Sequence, residues 1–234
     1  MMKRVAAIFI IVSLAAGVAA GQTMEKETRN VKGFSRVSFG IAGNLAIKIG
    51  PEFSVVVEGT KSDLEEVITE VSGDRLLIKQ ESWRFNFNEK VNVYITMKEL
   101  TGLSVSGSGK AEILDAVKDA DNLSLSVSGS GKLLTAGLVV DNLDCSISGS
   151  GDIIIGSDGN ADRGEISISG SGSYSGEAFE IDQLNVRVSG SGNCICKVGD
   201  SLDAGISGSG NVSYIGDPKI NAHVSGSGHV RSAK

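Results

Sequence analysis

Three cysteines are the residues of this sequence best suited to covalent or metal chemistry. Cys194 and Cys196 are separated by one residue, a spacing that suits soft-metal binding or thiol–disulfide exchange, and Cys145 lies upstream. All three fall on apolar positions of the alternating pattern described below, where a free cysteine behaves as a small hydrophobic residue. We interpret them as core residues and predict neither a metal nor a cofactor.

The two histidines raise the same question of a metal site. His223 and His229 lie on either side of the last Ser-Gly-Ser-Gly motif, at outward positions, and the nearby sequence offers no third ligand. Residues 148–152, Ser-Gly-Ser-Gly-Asp, resemble a glycine-rich calcium repeat. The other six motifs, however, are followed by Lys, Ser, Asn or His. We therefore predict no metal site here.

Four carboxylates come close together in the sequence: Asp141, Asp144, Asp152 and Asp158. A glycoside hydrolase would need two such groups converging in a groove. The segments between the predicted strands are short and the acidic residues are scattered, so we interpret these four as solvated, outward positions. The sequence predicts no catalytic residue and a protein that is not an enzyme.

One aromatic run stands out in the first half of the chain. Trp83, Phe85 and Phe87 alternate with polar residues and so share one face of a predicted strand. This face could stack on sugar rings, or it could pack beneath the N-terminal part of the fold. The three side chains are the best candidate for an exposed recognition patch.

The N-terminus indicates export. Lys3 and Arg4 precede an apolar run over residues 5–18, and Val18-Ala19-Ala20 fits a cleavage site, so residues 1–20 are predicted to be a signal peptide. No transmembrane segment is predicted in the mature chain, which places it in the periplasm, on the outer cell surface or outside the cell. The formal net charge of −6, without a basic cluster, argues against nucleic-acid binding.

The elements that must position these residues follow from a repeat. Ser-Gly-Ser-Gly occurs seven times, at 106–109, 128–131, 148–151, 169–172, 189–192, 207–210 and 225–228. The residue before each motif is Val or Ile, and the second residue after each motif is apolar, as at Val127 and Leu133. Such period-2 alternation on both sides predicts a strand, a tight corner and a second strand in every repeat.

Repeats of about 20 residues that bury little alone are typical of a stacked solenoid. We predict an all-β, β-helix-like solenoid of about seven repeats over residues 101–234, with the motif glycines as structural corner turns. These are Gly107, Gly109, Gly129, Gly131, Gly149, Gly151, Gly170, Gly172, Gly190, Gly192, Gly208, Gly210, Gly226 and Gly228. Whether one repeat forms one rung or half a superhelical turn stays open.

Residues 21–100 lack the motif and read as a β-rich part that continues into the solenoid and caps one end. Strands are predicted at 36–39, 44–49, 54–58, 75–79 and 91–97. One short helix is predicted over Asp63–Glu70, with Ser62 and Glu65 as its capping box.

The order of these pieces resembles a known family. Val31–Val37, the strand Val91–Met97 followed by Glu99-Leu100, the serial Ser-Gly-Ser-Gly units and Tyr214–Pro218 are similar to the "putative auto-transporter adhesin, head GIN domain" family of exported proteins from Gram-negative bacteria, often Bacteroidota. The resemblance implies a right-handed β-helix-like fold with glycine-serine corners and a role in adhesion. It implies no catalytic residues.

From these features we predict a non-enzymatic surface or envelope protein that acts as an adhesin-type binding module. Its partner would be a macromolecule or glycan on a cell surface, and exposed strand edges favour a homo-oligomer. A polysaccharide-binding or polysaccharide-processing β-helix protein and a structural envelope component are the two alternatives.

Overall fold

The computed structural model describes residues 23–82 and 90–233, so the predicted signal peptide lies outside the described residues. Within these ranges the chain is almost entirely β, with one short helix, α1, at Lys61–Glu66. The strands of the first part are β1 (Glu25–Thr28), β2 (Arg36–Phe39), β3 (Gly43–Ile49), β4 (Ser54–Gly59), β5 (Val67–Ser72), β6 (Arg75–Gln80) and β7 (Val91–Met97). The strands of the repeats are β8 (Gly102–Gly107), β9 (Lys110–Ile113), β10 (Val117–Gly129), β11 (Lys132–Gly149), β12 (Asp152–Gly170), β13 (Ser173–Gly190), β14 (Asn193–Gly208), β15 (Asn211–Ile215), β16 (Lys219–Gly226) and β17 (His229–Ser232).

Each repeat forms one rung of a β-solenoid. Before the corner, Val127 pairs in parallel with Ile147, and after the corner Leu133 pairs with Ile153, so neighbouring repeats are in register on both sides. We call the strand segments before each motif the first face and those after it the second face. The seven motifs bound about six turns of the solenoid.

The motif glycines lie at the corners, where the chain turns from the first face to the second. The first glycine of the motif has positive φ, as at Gly149 with φ 117°, a conformation that residues with a side chain rarely adopt. The second glycine instead packs against the rung before it, as Gly151 does on Gly131. Backbone hydrogen bonds run between the corners, and the Ser150 amide donates to the carbonyl oxygen of Gly129 at 2.8 Å.

The core is a column of apolar side chains to which both faces contribute. The first face contributes inward residues that are fully buried over consecutive rungs, namely Leu125, Cys145, Ile166, Val186 and Ala204. The second face contributes Leu133, Ile153, Tyr174, Cys194 and Val212. The cysteines are therefore core residues, as the alternation predicts.

The N-terminal part supplies two rungs of the stack as well as its covering. β2 lies between β6 and β8 on the first face, and β3 lies between β7 and β9 on the second, so the rung formed later in the chain is the outer one. The outer edges of β6 and β7 are paired with the antiparallel strands β5 and β4. This end of the solenoid is thus closed by strands that run against its direction, which protects the edges from further pairing.

The helix differs in extent from the prediction. α1 ends at Glu66, and its capping box is formed by Thr60 and Asp63, so the predicted box of Ser62 and Glu65 is wrong. The Thr60 hydroxyl accepts from the Asp63 amide at 3.3 Å. The predicted helix over 63–70 is wrong beyond residue 66, because Val67, Ile68 and their successors form β5 against β6. β-branched residues lose side-chain freedom in a helix and pack well on a sheet. Among the described residues no helix is long and apolar enough to cross a membrane.

Candidate functional site

A groove of about 1320 Å³ runs along the solenoid at the start of the first-face strands. We call it the axial groove. Each of the last six repeats contributes the residues that lie six, five and four positions before its motif, as with Asn142, Leu143 and Asp144. At the N-terminal end the lining passes through Lys98–Thr101 to Arg36 and Asp74. Because the contributing positions are equivalent in these six rungs, the wall of the groove has the same three-residue unit at each rung.

The axial groove is long and narrow. One column of its wall, paired rung by rung, consists of Arg36, Gly102, Ser124, Asp144, Glu165, Asn185, Asp203 and Asn221. At a strand spacing of ~4.8 Å these eight positions extend over about 34 Å. A groove of this shape suits an extended polymer better than a compact small molecule.

The outward side chains of the groove are polar, and hydrogen bonds between rungs orient some of them. The side-chain amide of Asn142 donates to the carbonyl oxygen of Asp121 at 3.1 Å and to Oδ1 of Asn122 at 3.2 Å. The amide of Asn221 donates to Oδ2 of Asp203 at 3.1 Å. None of the lining residues that the structure describes is aromatic. The groove therefore offers hydrogen-bonding and charged groups to the solvent.

Two carboxylates lie side by side in the middle of the groove. Asp144 and Glu165 are paired positions on neighbouring strands. Partial burial, together with the charge of Glu165, raises the pKa of Asp144 above its ordinary value. Asp144 therefore holds its proton more readily than an isolated aspartate does.

A column of acidic residues adjoins the groove lining, and of its members only Asp141 was singled out from the sequence. The residue seven positions before each of the first six motifs is acidic: Glu99, Asp121, Asp141, Asp162, Asp182 and Asp200. All of these are exposed except Asp182, which is half-buried. The signal was present in the sequence, because extending the repeat alignment a few positions towards the N-terminus aligns these residues.

A second, shallower groove of about 530 Å³ lies on the outer surface of the first face. It is lined by the serines of five consecutive rungs and by Arg187 and His223. The Arg187 side chain lies over Gly205 of the next rung. Its Nη1 atom is 3.1 Å from the position that a Cβ atom of residue 205 would occupy. Serine hydroxyl groups are the most numerous polar groups of this second groove, whose lining also includes Ile147, Ile168, Val188 and Ile206.

The structure separates the residues that the sequence singled out. Asp144 lines the axial groove and Asp141 precedes the lining residue Asn142, whereas Asp152 lies on the second face, 3.7 Å from the Lys132 ammonium. The side chain of Asp158 is not among those described. The aromatic candidates Trp83, Phe85 and Phe87 also lie outside the described residues.

The histidines are both on the last rung, His223 in β16 and His229 in β17. Both side chains are exposed. Among the described residues, no three His, Cys, Asp or Glu side chains are placed so that they could hold a metal ion.

The cysteines are chemically protected by their burial. Burial and the nearby charge of Asp144 raise the pKa of Cys145, and a hydrogen bond with Cys196 together with burial raises the pKa of Cys194. The Cys196 thiol donates to the carbonyl oxygen of Ser213 at 3.7 Å. Because the thiolate is the reactive form, these thiols are unsuited to nucleophilic or redox chemistry in the folded protein.

Comparison with known proteins gives consistent results. A family model described as "Putative auto-transporter adhesin, head GIN domain" matches residues 33–218. A crystal structure of a putative adhesin from Bacteroides fragilis NCTC 9343 has a TM-score of 0.85 and 22% identity, covering 93% of this chain and 100% of the other.

Two further crystal structures have a TM-score of 0.72. A putative lipid binding protein from Parabacteroides distasonis ATCC 8503 is 23% identical, covering 90% of this chain and 97% of its own. A putative adhesin from Parabacteroides merdae ATCC 43184 is 21% identical, covering 90% and 96%. At these identities the likeness shows the fold alone. The comparison with curated proteins returned no match.

Proposed function

Since the chain belongs to the family described as "Putative auto-transporter adhesin, head GIN domain", we propose that it is an exported, non-enzymatic binding module of the adhesin type. Its partner is a macromolecule or glycan at a cell surface. A stack of short rungs is a rigid scaffold, and rigid scaffolds position binding residues with little loss of conformational freedom on binding. The predicted signal peptide supports the exported location.

The axial groove is the observation that carries this proposal. Its length of about 34 Å and its repeated polar lining match a ligand that is itself extended and repetitive. The column from Ser124 to Asn221 offers a hydroxyl, amide or carboxylate group on every rung. Each unit of a bound polymer could therefore meet an equivalent set of donors and acceptors.

The balance of charge in the groove indicates which polymers fit it. Six acidic and five basic side chains line it, so neither sign dominates. A polyanion such as a nucleic acid would meet the exposed aspartates along the margin and be repelled. Neutral polyhydroxylated glycans, which exchange hydrogen bonds with carboxylates, amides and guanidinium groups, suit this lining better.

A glycan array and a titration of the strongest hits test the proposal. Arg163→Ala removes the cation at the centre of the groove, whereas Arg187→Ala removes an exposed arginine from the second groove. Loss of a charged hydrogen bond should weaken binding about tenfold or more for Arg163→Ala. Arg187→Ala is the matched control and should leave the affinity unchanged. Equal effects of the two variants, or no bound glycan or cell-surface component, would contradict the proposal.

Polysaccharide cleavage is the second candidate, and the pair Asp144 and Glu165 favours it. A carboxyl group with a raised pKa beside a second carboxyl group resembles the arrangement that glycosidases use as acid and nucleophile. Incubation with each bound glycan, followed by analysis of reducing ends, distinguishes the two functions. New reducing ends that disappear in Asp144→Asn would favour cleavage, and intact glycans would favour binding alone.

A further inference from the structure

In the described part of the chain, the C-terminal end of the solenoid exposes apolar residues at positions that are buried in the rung before it. On β16 the inward positions are Ile220, Ala222 and Val224, which continue the columns of Leu202, Ala204 and Ile206. Ile220 is 46% exposed and Val224 is 39% exposed, whereas their neighbours on β14 are 1% and 2% exposed. The apolar core thus continues to this end and is left uncovered there.

The backbone of β16 is uncovered as well. One edge of the strand pairs with β14, and among the described residues β16 pairs with no other strand. Its outer N–H and C=O groups therefore form an open template for another strand. An apolar core end and a free strand edge occur together here, and a strand that pairs with β16 would cover both.

The two ends of the solenoid differ in a way that selects the arrangement of copies. Head-to-tail stacking would place β16 of one copy on β6 of the next, but β5 already occupies that edge of β6. The edge of β7 is likewise occupied by β4. Head-to-tail pairing of β16 with β6 or β7 is therefore blocked, whereas the uncovered end can pair with an equivalent end, which gives a closed two-fold dimer.

We propose that two copies of this chain associate end to end through antiparallel pairing of their β16 strands, with the two-fold axis at Ala222. In this register Ile220 lies opposite Val224 of the partner subunit, and Ala222 lies opposite Ala222 of the partner subunit. All inward positions remain inward, so the two cores join into one continuous apolar column. On the outer surface Asn221 lies opposite His223 of the partner subunit.

The sequence of β16 selects this register over its neighbours. A shift of one residue would turn the apolar positions of one copy outward, because side chains alternate along a strand. A shift of two residues in one direction places Ile220 opposite a glycine, Gly226 of the partner subunit. A shift of two in the other direction places Val224 opposite a proline, Pro218 of the partner subunit, which has no N–H to donate.

Charge and size are compatible with a weak dimer. Lys219 lies opposite Ser225 of the partner subunit, and the two copies of Lys219 are about 20 Å apart, which exceeds the screening length of ~8 Å at physiological salt. A strand of eight residues and two faces about 10 Å apart give an end cross-section of roughly 270 Å² per copy. The total of roughly 540 Å² is small for a specific interface, so we expect a weak dimer that forms only at high concentration.

Sedimentation velocity over a concentration series tests the association. The protein should shift from monomer to dimer as the concentration rises, and Ile220→Lys should remain monomeric at every concentration. Ile220 is already half exposed in the single chain, so this change leaves the fold intact. Val139→Lys changes a valine that is 38% exposed on β11, away from the end, and should dimerise like the unaltered protein. A protein that stays monomeric, or a dimer that survives Ile220→Lys, would overturn the proposal.

Cross-linking tests the register. Directly opposite Cα atoms of antiparallel strands are about 4.5–5.5 Å apart, within the range that a disulfide requires. Ala222→Cys should therefore form a covalent dimer under mild oxidation. Ser225→Cys, which would be about 20 Å from its counterpart, should not. The three native cysteines are buried and do not interfere. Equal cross-linking of the two variants, or none by Ala222→Cys, would overturn the register.

Discussion

The carbonyl oxygen of Gly131 lies 2.5 Å from the position that a Cβ atom of Gly151 would occupy on the next rung. A real Cβ atom does not approach a backbone oxygen so closely, so the corners can stack at the strand spacing only because both residues are glycine. The same contact recurs between Gly172 and Gly151, at a similar distance. The repeated motif is therefore a condition of close stacking at each corner.

Gly151→Ala should destabilise the solenoid because the new methyl group would force the two corners apart. Overpacking of this kind costs about 1–3 kcal/mol. Ser150→Ala changes the neighbouring exposed position and should have little effect. Chemical denaturation of the two variants measures the difference in the free energy of unfolding, and equal stability would contradict the close contact.

Ile147→Asp should unfold the protein or strongly lower its melting temperature. Ile147 is 1% exposed in the core, and an unpaired carboxylate there cannot be solvated. Ser146→Asp places the same charge on the outer surface one residue earlier, where it should be nearly silent. Thermal melts followed by circular dichroism compare the two, and similar melting would mean that the inward and outward assignments are wrong.

The alternation beside each motif made the rungs predictable, because the core accepts only apolar side chains at positions such as Val127 and Leu133. The placement of β6 outside β2 was not predictable in this way. Both strands carry the same alternation, so local pattern does not reveal which strand lies next to which. The helix was overextended for a related reason, since Val67 and Ile68 follow a capped turn but pair in a sheet.

The axial groove was harder to predict than the core. Its wall positions require only polarity, and so residues as different as Ser124, Asp144 and Asn185 occupy one column. A column with varied side chains gives no repeating letter in the sequence. The aspartates next to the groove do repeat, as at Asp121 and Asp141. Their fixed position relative to the motif is the feature by which the sequence alone could have indicated the groove.

The native thiols should resist modification and should make the fold sensitive to alkali. Cys145 and Cys194 have pKa values raised by folding, so the unfolded chain loses their protons at a lower pH than the folded chain does. Stability from this source is complete below the ordinary thiol pKa of ~8.5 and falls as the pH rises above it.

A thiol reagent measures the reactivity of these groups. At neutral pH the three cysteines should react only after denaturant is added, and the melting temperature should begin to fall above a pH of about 8.5. Rapid labelling of the folded protein at neutral pH would contradict the burial of the three thiols. The corresponding melting curves of Cys145→Ala should show a smaller loss in alkali.

Asp144→Asn should stabilise the protein at neutral pH. Partial burial and the charge of Glu165 raise the pKa of Asp144, which means that folding disfavours its ionised form. The penalty is absent below the ordinary carboxyl pKa of ~4, where the group is protonated in both states, and it develops as the pH rises through the raised value. The variant and the unaltered protein should therefore have equal stability in acid and diverge towards neutral pH.

Asp203→Asn is the matched control for this effect. It lies in the same column of the groove, but its neighbours in that column are the amides Asn185 and Asn221 instead of a carboxylate. Asn221 also donates a hydrogen bond to the Asp203 carboxylate, so removing this charge should not stabilise the fold. Melting temperatures of both variants over a range of pH separate the two cases. Stabilisation by Asp203→Asn but not by Asp144→Asn would show that burial and the charge of Glu165 do not make the ionised Asp144 destabilising.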